Sequence, residues 1–188
     1  EELSRLIMNE LEELDMKRVV FAVDIQKTDF TVDGCDNVEF LISTNPGENL
    51  KPLSKIASGG EMSRIMLAIK SILAKDDIVD TLIFDEIDTG VSGRAAQKIS
   101  EKICEISRIK QVLCITHLAQ IASMGDYQYL IKKSSDETQT STDVTLLSEA
   151  ERCDELARII GGVSVTDTTT EAAKEMLKQA EELKKSFN

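Results

Sequence analysis

The chain has 188 residues, with 22 basic against 34 acidic side chains and a net charge of −12 at pH 7. That length suits one domain with room for an appendage, and it buries a sizeable core. The acidic balance excludes a broad nucleic-acid grip, because such affinity comes from Lys and Arg neutralising phosphates.

No apolar run approaches the length needed to cross a bilayer, and the N-terminus lacks the signal-peptide pattern. A soluble chain without a membrane partner is expected. Cys35, Cys104, Cys114 and Cys153 lie far apart, without C-x-x-C or metal-ligand spacing. Cys104 and Cys114 fall within apolar patterns, so both are expected as buried free thiols in a reducing cytoplasm.

Residues 1–17 place Leu3, Leu6, Ile7, Leu11 and Leu14 on one helical stripe. This is the pattern of a packed amphipathic helix or the end of a coiled-coil arm, and it is too short for the three heptads that would decide. Residues 18–188 read as one lobe. Val19 to Ile25 alternates, Asp33-Gly34 marks a turn, and Val38, Phe40 and Ile42 alternate again, giving an antiparallel pair. Asn45-Pro46-Gly47 breaks it, and Lys51-Pro52-Leu53 leads extended into a helix that runs to about Ala74. Thr81 to Phe84 is a short apolar run that fits a strand buried on both faces of a parallel sheet. Ser92 caps a helix through about Ser107, and Gln111 to Thr116 is a second buried strand; strand, helix and strand together fit a parallel crossover. Leu118 to Met124 is a short helix. Tyr127 to Lys132 and Ser141 to Leu147 pair across a polar loop. Glu149 to Ile160 is a helix stopped by Gly161-Gly162, and Thr166 or Asp167 caps a last helix with Ala173, Met176, Leu177, Ala180 and Leu183 on one face. The fold class is α/β, with parallel core strands flanked by helices plus antiparallel strand pairs.

Two stretches carry chemistry. Ser58 stands three before Glu61, the capping-box spacing, which makes a well-capped helix the plain reading. Gly59 and Gly60 ask for more, since a glycine in a helix weakens it by about 1 kcal/mol relative to alanine. Paired glycines make sense where something approaches the backbone closely, and a bare helix N-terminus suits phosphate. Asp85 and Glu86 then end the first core strand, where α/β sheets place ligand chemistry. Adjacent acids point differently, so one can orient Mg²⁺ while the next faces an attacking water. Asp88 and Gly90 follow. His117, the one histidine, ends the second core strand; the crossover would set that end beside the acids.

Ser58-Gly59-Gly60-Glu61 resembles the signature motif of ABC-type ATPases in its SMC-like form. Leu82 to Glu86 resembles Walker B with its catalytic glutamate, Asp88 the D-loop aspartate and His117 the switch histidine. The longer strings Lys55 to Glu61 with Ser63-Arg64, Asn45 to Glu48, and Phe84 to Gly93 are similar to the RecN family of bacterial SMC-like proteins of double-strand-break repair. The resemblance implies the C-terminal lobe of an ABC/SMC head over residues 18–188, with 1–17 beside a coiled-coil arm. It implies ATP and Mg²⁺ as cofactors: Ser58, Gly59, Gly60 and Glu61 at a nucleotide, Asp85 on the metal, Glu86 on the attacking water, His117 on the γ-phosphate and Asp88 at a dimer seam. Arg64 is expected to pair with an acid rather than approach phosphate.

A P-loop needs G-x-x-x-x-G-K-[ST], and none of the nine glycines precedes a lysine. The resemblance places that motif in an N-terminal lobe, which becomes a partner. Two heads would close on ATP, DNA would be met through the whole protein and weakly or not at all here, and the setting would be a bacterial, nucleoid-associated cytoplasm. By itself the chain is expected to hydrolyse ATP negligibly. Other readings are the nucleotide-binding half of another ABC-type ATPase, a non-catalytic interaction module of the same fold, and a nucleotide-independent acid-pair hydrolase. The last lacks further ligands.

Overall fold

The computed structural model describes residues 1–45, 47–56, 58–91, 93–135 and 140–187, and these form two compact units, Glu1–Ile115 and Thr116–Asn188. The expected helix cap at Ser92 and most of the polar loop after Lys133 lie outside the described residues.

In the first unit, α1 (Glu2–Glu13) buries Ile7, Leu11 and Leu14, the stripe read from the sequence, and it packs on α2 (Gly59–Leu73) and β1 (Val20–Thr31). Charge reinforces this apolar seam. Lys102 reaches Glu10 at 3.0 Å, Glu13 at 3.3 Å and Glu105 at 3.3 Å, joining α1 to α3 (Gly93–Ser107). Burial alone would lower the Lys102 pKa, but the hydrogen bond and charge of Glu10, with Glu105 and Glu13, raise it above the ordinary lysine value. Lys102→Ala leaves Glu10 half-buried without its cation, and we expect a loss of about 1–3 kcal/mol in urea denaturation.

β1 pairs antiparallel with β2 (Gly34–Ser43), from Val20↔Ser43 to Thr31↔Gly34 with an irregularity between Lys27 and Thr31. Both strands run further toward the turn than the alternation suggests, because their outer halves are exposed and carry no apolar period. Phe21 and Ile42 are buried near the base, where the Phe21 and Phe40 rings lie 5.5 Å apart. β3 (Lys51–Pro52) adds to β2 and leads through a single 3-10 turn, Leu53–Lys55, toward α2.

β4 (Thr81–Phe84) and β5 (Gln111–Cys114) pair in parallel, with Thr81↔Gln111 through Phe84↔Cys114, and α3 is the crossover between them. The expectation of strands buried on both faces fails. Leu82 and Phe84 are buried, but Ile83 is 67 %, Leu113 47 % and Ile115 50 % exposed. The apolar run arises from residues that would be covered on two sides, and only one side is covered here. Cys114, beside buried Phe84 on the face opposite Leu113 and Ile115, is only partly buried, whereas Cys104, on the packed face of α3, is buried as expected.

The second unit has α4 (Ala119–Ala122), the β6–β7 hairpin (Tyr129–Ser135 with Thr140–Leu146), α5 (Glu149–Gly161) and α6 (Asp167–Ser186). The hairpin pairs Tyr129↔Leu146 and Ile131↔Val144, and it leaves these four side chains exposed. Ser148 and Glu151 form a full capping box on α5, and Gly162, at φ +61°, ends that helix in the left-handed region only glycine enters freely. Thr166 caps α6. Ala119, Leu156, Ala157 and Ala173 form the core between α4, α5 and α6, and Lys184 pairs with Asp126 at 3.0 Å.

Candidate functional site

The start of α2 faces the loop that follows β4. Ser58 caps the helix in extended conformation, and its hydroxyl accepts the Glu61 N–H at 3.3 Å, the backbone half of the expected capping box. Asp85 follows β4 directly, and its Oδ1 accepts the Glu86 N–H at 2.9 Å. Glu86 holds φ +57°, rare for a residue with a side chain. Thr89 N–H closes a turn onto Glu86 O at 3.0 Å, Val91 N–H bonds Asp88 O at 3.2 Å, and Gly90 carries φ +72° between them.

Side chains of α2 hold this loop from the other side. Ser63 Oγ donates to Asp85 O at 2.6 Å. Arg64 Nη1 donates to Thr89 O at 3.0 Å and Ile87 O at 3.4 Å. Arg64 therefore serves backbone carbonyls rather than an acid, and burial lowers its pKa while Glu61 partly opposes that. Sequence reasoning singled out Arg64 but missed its carbonyl partners, because nothing local indicates that a loop over twenty residues later comes back to the helix.

The glycines explain the closeness. A Cβ on Gly60 would meet Glu86 O, Thr89 Cβ and Thr89 O, each at 3.0 Å. One on Gly59 would stand 2.1 Å from Glu86 Oε2. What approaches the α2 backbone in this structure is the chain's own Glu86–Thr89 segment. Ser58, Gly59, Gly60, Glu61, Asp85, Glu86 and Asp88 are thus brought together in the first unit, and Asp88 is buried. The ladder continues one step past the strands, with Ile115 N–H on Phe84 O at 2.9 Å. His117, two residues further along the chain, belongs to the second unit.

Among the described residues no group of three His, Cys, Asp or Glu side chains could hold a metal ion. Asp85 can still serve Mg²⁺, which is usually held by one or two carboxylates plus waters and phosphates, and its second oxygen is not the one that accepts the Glu86 amide. Cys114 reports on the charge here: burial, then Asp88 and Asp85, push its thiol up to about 12. A thiol titrating there rather than at 9.0 holds about a thousandfold less thiolate at pH 8, and thiolate is the nucleophile. We expect iodoacetamide to modify Cys114 correspondingly slowly at pH 8, the rate climbing about tenfold per pH unit until about pH 12; mass-spectrometric mapping reads it.

No protein-family model matches the chain. Among curated proteins it is 55 % identical over 162 residues to the DNA repair protein RecN of Bacillus subtilis, covering 86 % of this chain and 28 % of that protein. It is 48 % identical over 188 residues to RecN of Halalkalibacterium halodurans, covering 97 % and 33 %. With RecN of Vibrio cholerae it shares 40 % over 178 residues, covering 94 % and 32 %. The chain spans about a third of the length of these relatives. Among solved structures it is similar to the Smc head domain with a coiled coil and joint from Pyrococcus yayanosii, at TM-score 0.55 and 18 % identity over 95 % of this chain and 29 % of that one. A chain from work on ATP-driven dimerization and DNA-stimulated activation of SMC ATPases matches at TM-score 0.50 and 20 % identity, over 86 % and 92 %. These two likenesses show the fold: a mixed α/β arrangement like that of SMC ATPase heads. No described helix is long and apolar enough to cross a membrane.

Proposed function

We infer that this RecN-like chain supplies one side of an ATP site formed when two SMC-like heads meet, within a DNA-repair ATPase. The observation that carries the reading is the placement, in one unit, of a glycine-opened helix start against the Asp85–Asp88 loop at the end of a parallel strand, in a sequence shared at 40–55 % identity with RecN proteins.

ATP with Mg²⁺ supplies the phosphoryl group and the charge these residues answer. Ser58 with the Gly59 and Gly60 amides covers a γ-phosphate held on the opposite head, using the partial positive charge of the helix N-terminus. Glu61 gives its backbone N–H to the Ser58 hydroxyl that caps that end. Asp85 helps hold Mg²⁺ through its water shell, and Glu86 orients or deprotonates the attacking water. Asp88 sits at the seam between heads, and His117 senses the γ-phosphate. DNA is met through the whole protein, and an acidic chain of this kind adds little to that contact.

The P-loop lobe is the first partner. Parallel sheets occur almost only with both faces covered, and Ile83, Leu113 and Ile115 offer an uncovered apolar face. Sedimentation of the chain with a separately produced P-loop half of the same protein tests this. A stable complex is expected, and Ile83→Asp should weaken it at least tenfold, because a charge is then buried unpaired. Absence of any complex with wild type would sink the reading.

A further inference from the structure

We propose that Arg152 and Lys184 are positioning residues for His117: they fasten the far end of α4, the single-turn helix that begins two residues after it, and thereby set where its imidazole stands. This rests on the reading of His117 at a γ-phosphate.

Helix α4 has only four residues, Ala119–Ala122. So short a helix makes too few hydrogen bonds to hold itself, and its placement comes from its packed side and its two ends. Ala119 packs with Leu156, Ala157 and Ala173. At the near end, next to His117, the Leu118 N–H donates to Thr116 Oγ1 at 3.1 Å. At the far end the Ser123, Met124 and Gly125 amides donate back to Ala119, Ile121 and Ala122. The Ser123 and Gly125 carbonyls then lie beyond the reach of the helix's own amides. That end of a helix carries partial negative charge and favours cations.

Two other helices supply them. Arg152 on α5 donates through Nη2 to Gly125 O at 2.7 Å and to Ser123 O at 3.5 Å. Lys184 on α6 donates to the same Gly125 O at 3.2 Å and pairs with Asp126 at 3.0 Å, with 7 % of the residue exposed. Water would serve a turn at the surface, and Asp126 and Tyr127 beside it are exposed. Here two charged side chains from separate helices meet on one carbonyl instead. The turn is also tight, since a Cβ on Gly125 would stand 3.0 Å from Tyr127 O. With its far end held this way, α4 moves as one piece with its clamp. A shift at Ser123–Gly125 is carried along the single turn to Leu118 and His117.

His117 is the one histidine, so the chain gives a single set of imidazole ring resonances. Arg152→Ala should shift or double them in the folded chain, whereas loss of stability alone would leave them in place. In the recombined two-part head, Arg152→Ala should lower ATP turnover about 10–100-fold, the size of effect that a misplacement of about 1 Å produces. That loss should vanish when His117→Ala is already present, because a residue acting through His117 then has nothing left to position. Lys184→Met, which keeps the apolar stem, carries the same three readouts if Arg152→Ala does not fold. Ring resonances that stay in place, or a loss that persists in full beside His117→Ala, would overturn the proposal. Resonances that move while neither Arg152→Ala nor His117→Ala changes turnover would uphold the clamp and count instead against His117 at the γ-phosphate.

Discussion

Glu86→Gln should lower ATP turnover of the recombined two-part head by about 10²–10⁴-fold, the usual contribution of a positioned acid or base. Nucleotide binding should persist, because the amide is close in size and Asp85 remains beside it. The heads, once joined, should then separate slowly, since release awaits a hydrolysis that no longer comes. Steady-state turnover together with sedimentation of the MgATP-bound mixture checks both halves. Turnover near wild type would remove Glu86 from the chemistry and leave its place against Gly59 as a packing feature alone.

The second large effect falls on Gly60. Its added Cβ would be held at 3.0 Å by the Glu86 and Thr89 carbonyl oxygens and Thr89 Cβ, none of them the end of a flexible side chain. Overpacking of this kind costs about 1–3 kcal/mol, while alanine returns at most about 1 kcal/mol of helix propensity. Gly60→Ala should therefore destabilise the chain, push the 86–89 segment off α2 and impair turnover in the recombined head. Gly59→Ala is the contrast. Only a Glu86 carboxylate oxygen stands directly in its way, and that side chain can rotate aside, so stability should hold or rise by up to about 1 kcal/mol. Parallel urea melts decide; equal behaviour of the two alanine variants would mean that the loop is not packed on the helix.

That contrast bears on what the sequence could reveal. Periodicity placed the helices well: the Leu3–Leu14 stripe, α2, α3 and α6 each bury one face, and such a face repeats in the sequence. The Ser58, Thr166 and Gly162 boundaries were legible because caps and left-handed stops need particular residue types. The outer halves of β1 and β2 were not, since both of their faces are exposed and no alternation marks them. Burial on both faces of β4 and β5 misled, because an apolar run does not say which of its two faces the chain's own fold covers, and Ile83, Leu113 and Ile115 stand exposed. At the site, the spacing singled out Ser58–Glu61 and Asp85–Asp88, and the fold brings them into one unit. It could not reveal that the close approach demanded by Gly59 and Gly60 comes from within, because that depends on Arg64 and Ser63 drawing a distant loop onto α2.

ATP turnover by the purified chain, compared with the same chain mixed with its P-loop half, tests the central claim most directly. The account predicts phosphate release indistinguishable from buffer for the chain by itself and clear turnover in the mixture. Brisk turnover by the chain alone, unchanged on dilution, would contradict it.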